Sequence, residues 1–158
     1  MNESNGMHTI DPTTDAQPHG LTLAEAAASN DPAAVAPIEA IATLTQRAYR
    51  ILVQRLESFG NRLSERHHEA LHEIVGTFAM KVAGHMQGRR AIALATGLGK
   101  TQSIVAFCAA LAQLGREDVS LMIAAHKIDA LCDLKREIEK AGVPAEWIGL
   151  VHSYPHAP

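Results

Sequence analysis

Apolar positions recur on a roughly 3.6-residue period through two stretches of the first half of the chain, and the grammar changes after Arg90. From Pro37 to Phe59, the residues Ile38, Ile41, Ala48, Leu52, Leu56 and Phe59 fall on one helical face. Pro37 suits a first turn, where a missing N–H costs nothing, and Gly60 suits the position just past the end. Ser64 then offers an N-cap for a second helix, striped by Leu71, Ile74, Val75, Phe78, Val82 and Met86 and closed by Gly84 and Gly88. Two such helices joined by a short turn predict a hairpin that must bury its stripes against each other or against the downstream part of the chain. Beyond Arg90, "AIALA" (91–95), "VSLMIAA" (119–125) and "WIGLV" (147–151) read as strands, with helices over 101–114 and 127–141 between them. Apolar strands alternating with helices predict βαβ units and a parallel sheet covered on both faces.

The same pattern divides the chain into three parts. Residues 1–20 are polar, rich in turn formers and aperiodic, and read as a disordered tail. A helical extension comes next over 21–88, opened by capping-box spacing from Thr22 to Glu25. The α/β domain occupies 89–158.

Composition changes this picture only locally. The 158 residues are 47% hydrophobic and 20% charged, enough to build a packed core and to exclude wholesale disorder. The net charge of −3 gives no global basic field. Between Ile74 and Arg116, however, there is no Asp or Glu, while Lys81, Arg89, Arg90, Lys100 and Arg116 fall there. Such a patch suits an anionic ligand, and equally an ordinary solvated surface. Cys108 and Cys132 lack metal or disulfide spacing and read as small core residues in a reducing compartment. No stretch approaches the roughly 18 unbroken apolar residues of a membrane span, and the expected location is the cytoplasm.

Candidate chemistry concentrates in "ATGLGKTQS" (95–103). Its order, apolar run, glycine loop, helix, is what a phosphate-binding loop requires. Gly97 and Gly99 let main-chain N–H groups approach phosphate, and the helix N-terminus points its dipole at the same place. Lys100 reaches the β- and γ-phosphates, and the Thr101 hydroxyl ligates Mg²⁺. The strict pattern G-x-x-x-x-G-K-[ST] is not met, because its first glycine falls at Leu94. Chance places G-x-G-K-T in a chain of this composition with a probability of roughly 0.001, so a bare glycine turn is the weaker account.

"TGLGKT" resembles the first motif of superfamily 2 helicases and translocases. "SLMIAAHKIDAL" is similar to the next family segment, in which a loop touches the nucleic-acid backbone; only Lys127 matches there. "RHHEAL" (66–71) stands where many members read adenine with a glutamine, and Glu69 replaces it, so adenine recognition is not carried over. The resemblance implies a partial RecA-like lobe, a P-loop NTPase fold behind a helical hairpin. It implies ATP and Mg²⁺ as cofactors, held by Thr96, Gly97, Leu98, Gly99, Lys100, Thr101 and Gln102. Nucleic acid is the implied partner, DNA ahead of RNA, contacted through Lys127. The family's acidic D-E-x-[HD] element and second lobe have no counterpart after Trp147. The expectation is therefore an N-terminal piece of a larger ATPase that binds ATP–Mg²⁺ weakly and does not hydrolyse it. It would need further lobes or a protein partner. The alternative is a remnant or adaptor acting through its helical hairpin.

A rival motif is "HEALH" (68–72), which matches H-E-x-x-H. His68 and His72, one helical turn apart, could share Zn²⁺ with Glu69 as general base. Chance gives this pattern in roughly 3 of 100 chains so rich in histidine, and no acidic third ligand stands at the required spacing. His85 is the nearest candidate for a third ligand. His126, His152 and His156 have no partner spacing and read as structural, and Trp147, at the start of the last expected strand, reads as core.

Overall fold

The computed structural model describes residues 32–89, 91, 97 and 99–151, with side-chain surroundings from Ile38 onward. The predicted tail over 1–20, the Thr22–Glu25 cap, the "AIALA" strand beyond Ala91, Thr96, Leu98, His152 and His156 lie outside the described residues. Four α-helices succeed one another: α1 (Pro32–Ser58), α2 (Glu65–Val82), α3 (Lys100–Gln113) and α4 (Ile128–Lys140). Among the described residues a 3-10 turn, Ala145–Trp147, follows them.

The hairpin of α1 and α2 forms as its periodicity predicts. In α1, Ile41, Leu44, Thr45, Ala48, Leu52 and Leu56 are buried at helical spacing. Pro32, not Pro37, opens the helix. At the far end, Gly60 (φ 82°) takes the left-handed turn, and the Asn61 N–H donates back to the Leu56 carbonyl at 3.1 Å. Ser64 caps α2 as the sequence indicates: its hydroxyl accepts from the His67 N–H while His67 Nδ1 accepts from the Ser64 N–H. Leu71, Ile74, Val75 and Ala79 then face the core. Phe59 departs from the expected stripe. It lies 59% exposed beyond the helix end, with the Arg55 guanidinium 5.9 Å from its ring.

The third helix corrects the expected fold. A partial RecA-like parallel sheet requires α3 to cover strands, but the described residues contain four helices and no strand. Instead α3 packs against α1 and α2. Ala106, Phe107, Ala110 and Leu111 join one cluster with Leu52, Leu56, Leu71 and Val75. Alanines at 106 and 110 let the backbones approach closely, and Phe78 meets Phe107 edge to face at 5.4 Å. An apolar helix of this kind serves to cover a sheet or to fill a gap between helices, and periodicity does not distinguish the two.

The two described strand candidates stay unpaired. A strand needs a neighbour for its N–H and C=O groups. Residues 119–125 run irregularly, with Leu121 and Met122 exposed, and 147–151 begin in the 3-10 turn. The superfamily 2 resemblance falls with the sheet, because the family's loop sits at the end of a central strand of that sheet. α4 forms as predicted and packs on α3, with Ile138 its single buried residue. No described helix is long and apolar enough to cross a membrane.

Candidate functional site

The glycine loop is built onto the core by Gly99. This residue caps α3 in the left-handed region (φ 82°), and its carbonyl accepts from both the N–H and the hydroxyl of Ser103, at 2.8 and 3.0 Å. A side chain at Gly99 would stand 3.2 Å from Leu56 Cδ1 and 3.5 Å from Leu71 Cδ2. The start of α3 therefore rests on the end of α1 and the beginning of α2. Gly97 is also left-handed (φ 90°), but no described atom beyond its chain neighbours lies within 4 Å of a would-be Cβ. No described side chain caps α3, so the first-turn N–H groups, which have no intrahelical acceptor, point out of the end of the helix.

Lys100 and Thr101 are exposed beside this opening, while Gln102 is half-buried. Gln102 Oε1 accepts from Arg55 Nε at 2.9 Å, and Arg55 Nη2 donates to Glu137 Oε2 at 2.9 Å. Arg55 and Glu137 therefore stand at the same end of α3 as the loop, although they lie 47 and 35 positions from Gln102 in the chain. Nothing in the sequence pattern marks them, because no local spacing connects residues so far apart. Lys140, with Arg55 behind it, holds the Glu137 carboxyl below the usual carboxylate range.

Other sequence candidates do not join this group. Lys127 stands exposed at the N-cap of α4, ten residues before Glu137, which puts it about 15 Å away along the helix axis. Of the expected cationic patch, Arg116 is engaged by Asp118 at 2.7 Å and the Lys81 ammonium donates to the Gly88 carbonyl. Arg89 is exposed, and Arg90 lies outside the described residues.

The histidine pair is organised around an aromatic ring. Tyr49 of α1 bonds His68 Nδ1 through its hydroxyl at 2.7 Å and meets His72 edge to face at 5.2 Å. Glu69 is exposed on α2, and His85 lies beyond the helix end, its N–H donating back to the Met80 carbonyl, which stands about 12 Å along the axis from His72. Among the described residues no three His, Cys, Asp or Glu side chains converge as a metal site. His126 is exposed, and so is Trp147, which is therefore not the core residue its apolar setting in the sequence suggests. Cys108 lies half-buried on α3, and burial pushes its thiol from 9.0 up to about 11, which keeps it protonated and unreactive at neutral pH.

The chain matches no protein-family model, no curated protein and no solved structure.

Proposed function

We propose that this chain binds ATP–Mg²⁺ at the start of α3 and does not hydrolyse it alone. The observation that carries this reading is the pair of left-handed glycines, Gly97 and Gly99, directly ahead of a helix whose N-terminus no described side chain caps. Left-handed glycines turn neighbouring N–H groups toward a common point, and the helix dipole favours negative charge there. A Cβ at Gly97 would meet no described atom within 4 Å, which leaves that side of the loop free of described neighbours. Lys100 would pair with the β- and γ-phosphates as a charge-assisted donor, and the Thr101 hydroxyl would ligate the metal. Mg²⁺, when bound, would supply neutralisation of phosphate charge.

Hydrolysis needs a group that orients and deprotonates water. Among the described residues the fold brings Glu137 to this end of α3, and Lys140, with Arg55 behind it, lowers its pKa and so its basicity. Isothermal calorimetry with ATP–Mg²⁺ tests the reading. Wild type is expected to bind, and Lys100→Ala to weaken binding at least tenfold, since a charged hydrogen bond contributes about 1.5–3 kcal/mol. Equal affinity in the two proteins, or none in wild type, would remove it.

A second reading, a protein-contact adaptor, draws on exposed apolar side chains, with Met122 98% and Val151 90% accessible. It would not work through the stripes of the hairpin, which are covered by α3. Absence of nucleotide binding would leave it standing.

A further inference from the structure

We propose that α4 is a cover held shut by Arg55, through a guanidinium that also fixes the first turn of α3. The clamp operates whether or not nucleotide binds.

Burial points to it first. α3 buries seven residues, whereas α4 buries one, Ile138. Local unfolding draws on elements with few buried apolar contacts, so α4 belongs to the least stable part of the described fold. It packs on α3, whose other side is taken by α1 and α2. Val105 and Ala109 are buried on α3 yet stand outside the cluster that joins the first three helices. At 100° per residue they point away from Phe107 and Leu111, toward the side left for α4.

Geometry points the same way. Of the five ion pairs among the described residues, two hold α4 residues to one another at i,i+3 spacing, Lys140 to Glu137 and Arg136 to Asp133, and a third, Lys135 to Glu139, does so at i,i+4. These stiffen the helix without docking it. Arg55 to Glu137 is the pair that crosses from α4 to the core, and its side chains are only 19% and 32% exposed. Partial burial reduces screening, and a planar guanidinium spans two acceptors with little further loss of freedom. Its second acceptor is Gln102 Oε1 in the first turn of α3. Cover and helix start therefore share one clamp. If Arg55 turns away, both lose a partner.

Hydrogen exchange on the full chain, read by mass spectrometry, tests this with two variants. Glu137→Gln keeps the shape of the side chain and removes its charge. It should raise exchange over 128–140 about three- to tenfold while α1 and α2 stay at wild-type rates. Arg55→Gln should do the same and also raise exchange at Ser103 and Ile104, the first amides of α3 to be bonded within the helix. Unchanged exchange over 128–140 in Glu137→Gln, or a rise in step with α1 and α2, would overturn the cover. Wild-type rates at Ser103 and Ile104 in Arg55→Gln would overturn the shared clamp.

Discussion

A methyl group added at Gly97 and one added at Gly99 meet different surroundings, although both residues are left-handed. At either position an L side chain costs about 1–2 kcal/mol of backbone strain. At Gly99 the new carbon also presses on Leu56 Cδ1 at 3.2 Å and Cδ2 at 3.4 Å, and Leu56 is itself buried. Crowding of a packed core adds about 1–3 kcal/mol. Gly99→Ala should therefore destabilise the protein by about 2–5 kcal/mol in urea unfolding, and Gly97→Ala by no more than about 2. Equal losses would mean that Gly99 is not seated on the core. The glycines themselves were legible in the sequence. That one is a structural foot and the other meets no described neighbour was not, because the difference lies in contacts with Leu56 and Leu71, some 43 and 28 positions earlier.

Within α2, Gly76 interrupts a run of better helix formers opposite Thr45 of α1. A Cβ there would lie 3.7 Å from Thr45 Cγ2, an ordinary contact, and Gly76 is not in the left-handed region. Gly76→Ala should therefore stabilise the protein by about 0.5–1 kcal/mol, chiefly by restricting the unfolded chain. A loss in thermal unfolding would show that α1 and α2 approach more tightly than this. The neighbouring Thr45 hydroxyl is buried without a hydrogen-bond partner among the described residues, a cost that the packing of α1 on α2 and α3 offsets. The helices were the readable elements. Ser64, Gly60 and the stripes of Leu52 and Leu71 each state a local rule, and the structure obeys them. α4 obeys its own periodicity too, but burial of Ile138 contributes only about 1.5–3 kcal/mol to its docking.

For the whole molecule, the difference between a sheet and a helical core turned on "VSLMIAA" and "WIGLV". Their branched apolar residues satisfy every local criterion for a strand, yet a strand exists only in relation to a neighbour. That relation is long-range and leaves no trace in spacing. The α1–α2 hairpin offers α3 a complementary apolar groove, and α3 is seated there by Leu56, Leu71 and Phe78. The candidate site does not need the sheet, because it depends on one glycine-capped helix start. Its surroundings are different from those the motif implies: Arg55 and Glu137 flank it, and Lys127 stands apart. Nucleotide binding at that helix start is best checked by a ¹H–¹⁵N titration of the full chain with ATP–Mg²⁺. Progressive shifts should concentrate at Gly97, Gly99, Lys100 and Thr101 and vanish in Lys100→Ala. Shifts absent from these amides, or centred instead on Leu121 and Met122, would contradict binding there.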